Sequence, residues 1–450
     1  MKKILALGLS ITLSFNLAIS YPAFAILERN KQEKTSVLDY INFEHWRSMN
    51  DDYLTDYIAR AVNNNYDIKT AALKMEEASI NVTATRAGQF PVLSVIASPA
   101  VAKMPRTTKS EGSFALPVIA SWEADIFGKN WDKTKSAKKL YKASEFQTQV
   151  SDIAIISLVA GTYYNIVKLD KIIQIQEKLI SDRENIYNIM KLSNREGLVS
   201  TSDLILAEKS YVLAKNEMLE YQKLRQSALN SLAVLIGDNP NNTSEYKRTD
   251  ADNLPNNIEI PNEISSDIII NRPDYKALEY QLQAAGIDVR VAKKEFLPSI
   301  NILGLMTFLA SSTFSSMNWK NSLDLAAASV DLPIFTGFAR IANLKFNKNK
   351  YEQLLNQYQK TGLISIQEIN DSLYNLKSDN EKFKNNIKAL EIQEKDFKLS
   401  SSKFNKGVIS KLDLLQQRES LLYMQKVTLQ SKLDCYIDKI SLYKTTGARI

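Results

Sequence analysis

Apolar residues recur on an alternating 4/3 spacing at Ile369, Leu373, Leu376, Phe383, Ile387, Leu390, Phe397 and Phe404, interrupted only by Asn380, Glu394 and Ser401. This is a heptad seam, the signature of a helix that buries one narrow stripe against other helices along its length. Moving back 210 positions places Val159, Tyr163, Ile166, Ile173, Ile180 and Tyr187 on the same register. No proline lies between Pro117 and Pro240, and none follows Pro333, so a helix can run through both seams. The pattern predicts one long helix over Asp132–Asn194 and another over Phe338–Phe404, each about 95–100 Å long at 1.5 Å per residue. Such helices exceed the width of a globular domain and must lie against other long helices. Shorter partners, Ser202–Ile236 and Lys411–Thr446, run back from glycine-containing breaks.

Those breaks are written twice. Gly197, Ser200, Asp203 and Leu204 in REGLVSTSDLILAE fall on Gly407, Ser410, Asp413 and Leu414 in NKGVISKLDLLQQR. QFPVLSV (Gln89–Val95) recurs as EFLPSINI (Glu295–Ile302), DIFGKN (Asp125–Asn130) recurs as LPIFTGF (Leu332–Phe338), and Gly237 is answered by Gly447. Landmarks in one order with nearly one offset indicate an internal duplication. The chain divides into residues 1–25, a segment 26–50, a first repeat 51–237, a connecting stretch 238–266 and a second repeat 267–450. The connecting stretch is rich in Asn and Asp, and is expected to join the halves outside the helical body.

A different grammar precedes each long helix. Helices expected over Tyr66–Gln89 and Tyr275–Glu295 end at Phe90-Pro91 and Leu297-Pro298, where proline stops them. The insertions that follow, 92–124 and 299–332, are rich in Val, Ile, Ser and Thr and read as two hairpins. Their strands are Val92–Lys103 with Ser113–Ala124, and Ser299–Ala310 with Lys320–Leu332. At about 10 to 13 residues each they are long enough to cross a bilayer when tilted. Trp122, Trp131 and Trp319 stand at or near strand ends, where either an interfacial belt or an ordinary core would hold them. Four strands leave open edges, and an open edge in lipid strands backbone hydrogen-bonding groups, so the strands demand partner copies.

Composition narrows the chemistry. The N-terminus MKKILALGLSITLSFNLAISYPAFA has the layout of a cleavable secretory signal ending at Ala25. No later segment reads as apolar enough to span a membrane as a helix. There are 57 Lys+Arg against 50 Asp+Glu, and without the two lysines of the signal the excess is 55 − 50 = +5. The lysines are interspersed with acids, which reads as a solvated face, and no nucleic-acid partner is expected. Cys435 and His45 are the only residues of their types, which removes an intrachain disulfide, the common metal sets and the Ser-His and Cys-His nucleophiles. No catalytic, cofactor-binding or metal residue is expected, and Cys435 reads as a small buried residue of the last helix.

The order of helix ending in Phe-Pro, hairpin, W-E-x-D-I-F-G (Trp122–Gly128), long helix, G-L-V-S-x-x-D-L (Gly197–Leu204), A-x-L-I-G (Ala233–Gly237), R-P-D (Arg272–Asp274) and the whole programme again resembles the TolC-type outer-membrane efflux factors. The likeness is greatest to the branch paired with resistance-nodulation-division pumps. It implies a mainly α chain with a small β part, and a homotrimer that closes twelve strands into one outer-membrane barrel above a periplasmic tunnel of twelve helices. It further implies a passive exit duct, embedded in outer-membrane lipid, that meets a periplasmic adaptor protein and an inner-membrane transporter. An outer-membrane duct for type I protein secretion is the related alternative, and a secreted coiled-coil rod without a pore is the rival from another class. By the same likeness, Gly197, Leu198, Val199 and Ser200, with Gly407, Val408, Ile409 and Ser410, are the adaptor-docking tips. Asp413 falls on an aspartate that rings the tunnel mouth in the family, although as a residue just inside a helix start it also suits the helix dipole. The family's second ring aspartate falls on Gln416, which implies a one-ring gate. Pump-paired relatives usually carry a lipidated cysteine after the signal; here Ile26 follows Ala25, so no lipid anchor is expected.

Overall fold

The computed structural model describes residues 41–449, apart from 42, 48, 97, 103–110, 258–259, 262–263, 266 and 312–321. The signal segment and Trp319 lie outside the described residues. Helices α1 (Phe43–Arg47), α2 (Asp52–Asn64) and α3 (Tyr66–Ala87) lead into strands β1 (Val92–Val95), β2 (Ser98–Ala102) and β3 (Glu111–Ala124). Then come α4 (Lys129–Arg195) and α5 (Thr201–Leu235), two short 3-10 turns, and α6 (Asp267–Asn271) and α7 (Pro273–Lys294). Strands β4 (Ser299–Ser311) and β5 (Ser322–Asp331) precede α8 (Ala339–Asn405) and α9 (Lys411–Thr445). The duplication is carried into element length: α3 and α7 have 22 residues each, α4 and α8 have 67, and α5 and α9 have 35. Sixty-seven helical residues span about 100 Å.

The long helices start and stop within three residues of the expected positions, because the signals there are steric. At the glycine-marked ends of α4, α5, α8 and α9 the chain closes a Schellman motif, in which a left-handed residue lets two amides reach back to the last carbonyls. Gly197 and Gly407 sit at φ +73° and +72°, with Leu198 N–H donating to Ser193 O at 2.8 Å and Val408 N–H to Lys403 O at 2.9 Å. Gly237 and Gly447 repeat the motif, but under a roof. A Cβ at Gly237 would stand 2.6 Å from Asn64 O, and one at Gly447 2.8 Å from Pro273 Cδ. Positions 64 and 273 are themselves related by the repeat, so each half packs its closing glycine against the chain at or just before the start of α3 or α7.

The heptad residues of α8 are all buried or half-buried, with Ile369, Leu376 and Phe383 at 6 % exposure or less, while Leu363, Tyr374 and Ile392 beside them face out. The middle of α4 is packed more completely: Ile156, Val159, Ala160, Tyr163, Tyr164 and Ile166 have no exposure at all. One departure follows. An 18-residue window of α4 is apolar enough by composition to cross a membrane, contrary to expectation, but 56 % of it is buried in the protein itself. It serves as a core helix. Cys435 is buried as expected, and burial pushes its thiol up to about 12.

The chain forms two compact units, and each takes segments from both repeats. One comprises Val37–Met75, Ala143–Glu279 and Gln357–Ile450. Its core gathers Trp46, Tyr163, Tyr164, Leu232, Ile236 and Tyr443. The connecting stretch does not simply join the halves outside the helical body, as its polar composition suggests: most of its described residues are exposed, but a few pin it to this core. Tyr246, Ala251 and Leu254 are buried, Lys432 donates to the carbonyls of Ala251 at 3.0 Å and Leu254 at 2.6 Å, and the Tyr57 and Tyr436 hydroxyls hold those of Lys247 and Pro255, both at 2.9 Å. Side chains from elsewhere satisfy backbone groups that the Asn- and Asp-rich sequence leaves without a ladder. The Arg272-Pro273-Asp274 motif works similarly: Arg272 bridges Asp274 and Glu368, each at 2.7 Å, and donates to Thr445 O at 2.8 Å, tying the start of α7 to α8 and to the end of α9.

The second unit, with Glu76–Lys142 and Tyr280–Asn356, contains the sheet. All pairings are antiparallel, with β3 and β4 central, β5 beside β4, and β1 and β2 following one another along β3. The first expected strand is thus two pieces, so the sheet is four strands wide with β1/β2 and β5 at its edges.

Candidate functional site

Two features stand out physically: a sheet with one apolar face, and two helix-to-helix tips. The registers place Trp122, Ala120, Val118 and Leu116 of β3 on the same face as Ile302, Gly304, Met306 and Phe308 of β4 and Val330, Ala328, Ala326 and Asp324 of β5. Leu93 and Val95 of β1 join them. Only Ser322 and Asp324, at the loop end of β5, break this apolar surface. The opposite face is mixed: Pro117, Ile119, Leu303, Leu305, Leu323, Leu325 and Ala327 stand there with Ser121, Glu123, Asn301, Thr307, Ser329 and Asp331. A strand between lipid and water has this period-two asymmetry. Trp122 stands near the helix-proximal end of the apolar face, 38 % exposed, with its indole N–H on Gln89 O at 3.0 Å, and Trp131 follows two residues into α4 at 66 % exposed. Neither is a core tryptophan; Trp46 is.

Each tip pairs a Schellman end with a capping box. Ser200 Oγ accepts from Asp203 N–H at 3.1 Å while Asp203 receives Ser200 N–H at 3.4 Å and Ser200 Oγ–H at 2.8 Å. Ser410 and Asp413 repeat this at 3.1, 3.0 and 2.7 Å. Two donors that a helix start would otherwise leave open are satisfied at once. The Ser410 hydroxyl and amide hold the exposed Asp413 carboxyl below its ordinary range. Gln416 is exposed on the next turn. Leu198 and Val408 are 78 % and 68 % exposed, with Val199 and Ile409 half-buried beside them. Nothing lies within 4 Å of a Cβ built on Gly197 or Gly407. The tips therefore present an apolar side chain on a rigid turn in open space.

Sequence reasoning missed what ties the halves together above the tips. Asp182 of α4 is buried at 2 % side-chain exposure, and Arg418 Nε of α9 stands 3.2 Å from its Oδ2. Burial pushes the Asp182 carboxyl up, Arg418 pulls it back and Glu419 pushes it up again. Arg183 Nε meets Glu419 Oε1 at 3.0 Å, and its Nη1 donates to Ser210 O of α5 at 3.2 Å. Further along, Lys426 of α9 meets Glu217 of α5 at 2.8 Å. The partners stand over two hundred positions apart, and no local pattern announces them. Among the described residues no group of His, Cys, Asp and Glu could hold a metal ion.

The family model described as "Outer membrane efflux protein" matches this chain twice, over residues 57–238 and 264–448. The chain is 26 % identical over 411 residues to the probable efflux pump outer membrane protein TtgC of Pseudomonas putida, covering 89 % of this chain and 84 % of that one. It is 24 % identical over 408 residues to the cation efflux system protein CusC of Escherichia coli, covering 89 % and 88 %. Among solved structures, the outer membrane channel CmeC of Campylobacter jejuni superposes with TM-score 0.82 at 22 % identity, covering 93 % and 90 %. The open MtrE outer membrane channel of Neisseria gonorrhoeae gives 0.78 at 23 %, covering 88 % and 89 %. These structures share the fold.

Proposed function

The chain belongs to the outer membrane efflux protein family, and on that premise we propose that three copies close into a passive outer-membrane duct, the exit of a tripartite pump. The observation that carries the reading is the sheet. It has one apolar face and open edges at β1/β2 and β5, and such an edge in hydrocarbon costs several kcal/mol per unpaired backbone group. Further copies laid edge to edge remove that cost; three copies give a twelve-stranded barrel. The duplicated 67-residue helices then continue the wall beneath the barrel, with their exposed apolar residues covered by neighbouring copies.

In this reading the duct performs no catalysis and needs no cofactor, since an inner-membrane transporter supplies the energy. Gly197–Ser200 and Gly407–Ser410 dock the periplasmic adaptor through Leu198 and Val408, whose exposure suits an apolar partner surface. Three copies of Asp413 ring the mouth, ionised because Ser410 already holds each carboxylate, and attract cations while repelling one another. With Gln416 neutral there is one such ring. The relatives described above are pump components, which favours efflux over protein secretion. The test is envelope fractionation joined to planar-bilayer recording. The duct reading expects the chain in the outer membrane, extracted only by detergent and conducting once reconstituted; a water-extractable, non-conducting rod overturns it.

A further inference from the structure

The first turns of both long helices carry a charge pattern that the duct does not use. Residues 129–142 hold six lysines and one aspartate, and residues 339–350 hold one arginine, three lysines and no acid. Periodicity places Trp131, Lys135, Lys138 and Lys142 within about 60° of one another on α4. All four are exposed. Lys133 and Leu140 are exposed on the opposite side, with buried Asp132, Thr134, Ser136 and Ala137 between the two faces. A helix buried on two flanks and open on two faces has neighbours to either side, one face toward the interior of a wall and one toward its outside. The face with the tryptophan suits the outside, because an indole at a strand end seeks the lipid interface.

The duplication repeats the pattern. A shift of 210 carries Trp131, Lys135 and Lys138 onto Ile341, Lys345 and Lys348, all exposed, and only Lys142 fails, falling on Glu352. An ordinary solvated helix face mixes signs, as α8 does further along, where Lys382 and Lys384 pair with Asp379 and Glu381. Lys135, Lys138, Lys345 and Lys348 make no ion pair among the described residues. They lie about 6 Å and about 10.5 Å beyond the apolar residue that heads each face, the nearer lysine within and the farther one at about a Debye length of a membrane surface placed at that residue.

We infer that these two faces form a basic collar that binds the anionic phospholipid headgroups of the membrane leaflet at the helix-proximal end of the barrel. The inference rests on the duct reading. Trp131 and Ile341 mark the depth of the interface, and the lysines beneath them reach the headgroup phosphates. Fixed cations at the helix-proximal rim of the barrel set its height in the bilayer and hold it upright against the pull of a docked pump.

The test compares lipid retention by native mass spectrometry of the detergent-extracted full-length protein, supplied with phosphatidylglycerol or phosphatidylethanolamine. The quadruple variant Lys135→Gln, Lys138→Gln, Lys345→Gln, Lys348→Gln is the comparison. The collar predicts at least about a tenfold preference of the parent protein for phosphatidylglycerol, and loss of most of that preference in the variant, with oligomer mass and pore conductance unchanged. Equal retention of both lipids, or an undiminished preference in the variant, overturns it. A change of ion selectivity in the variant with lipid retention unaltered also overturns it, and assigns the lysines to the lumen. Failure of the duct reading is visible separately, as absence of trimers and pores in the parent protein, with the lipid preference still read on the particle present.

Discussion

Replacing Arg418 with alanine probes the tie between α4 and α9. Breaking a fully buried ion pair by removing one partner costs about 3–5 kcal/mol, whereas exposed pairs contribute about 0–1 kcal/mol. The Asp182 side chain is 2 % exposed and that of Arg418 45 %, so the expected cost lies between, at about 1–2 kcal/mol near neutral pH. The tie through Arg183 and Glu419 remains, so the loss is local to the ends of α4 and α9. The sign with pH follows from Asp182. Burial raises its carboxyl above the ordinary value, so the ionised form opposes folding, and that opposition fades as pH falls and the proton binds. Without Arg418 the carboxyl rises further. The deficit of Arg418→Ala is therefore widest in mildly alkaline buffer and closes as the buffer is acidified. Asp182→Asn removes the charge and should restore stability to Arg418→Ala. Hydrogen-exchange protection of the amides flanking Asp182 and Arg418 reads the effect where it occurs. A deficit of equal size in alkaline and acidic buffer, or one that Asp182→Asn leaves standing, refutes the reasoning.

Alanine at the four closing glycines should separate into two classes by thermal or denaturant unfolding. Gly197→Ala and Gly407→Ala meet only backbone strain, about 1 kcal/mol each, whereas Gly237→Ala and Gly447→Ala also drive a Cβ into Asn64 and Pro273 and should cost clearly more; equal costs would contradict the packing. Bulky charged residues at Gly197 or Gly407 should abolish export while trimers persist in the membrane, and loss of trimers would give these glycines a folding role alone. Ser410→Ala should cost about 1 kcal/mol through loss of its cap, read as earlier fraying of α9 in hydrogen exchange. Asp413→Ala should raise single-channel conductance and weaken block by multivalent cations, and an unchanged channel would leave Asp413 with its capping role only.

Periodic and steric signals were legible in the chain, and long-range polar ones were not. The seam from Ile369 to Phe404 declares its helix because one stripe must repeat every seven residues to stay on one face. Gly197 and Gly407 declare their turns because few other residues accept the left-handed backbone. The 210-residue shift exposed the repeat and the matched Ser200/Asp203 and Ser410/Asp413 positions, but not the capping boxes that they form. By contrast, the connecting stretch is rich in Asn and Asp and largely exposed, while its attachment to the core depends on Tyr246, Ala251 and Leu254 and on Lys432 from a distant helix. The break between β1 and β2 left no mark in the alternation. Arg272-Pro273-Asp274 was visible as a motif, but its partner Glu368 was not, and Asp182 with Arg418 carry no local pattern. Hydropathy alone gave too little weight to the apolar stretch of α4, whose role is decided by what packs around it.

Imaging the detergent-extracted protein by electron microscopy tests closure of the sheet edges most directly. The account predicts a three-fold particle in which β5 of each copy pairs with β1/β2 of the next, twelve strands around a pore with the long helices continuing its wall. A monomer or an open filament whose edges remain unpaired would contradict it.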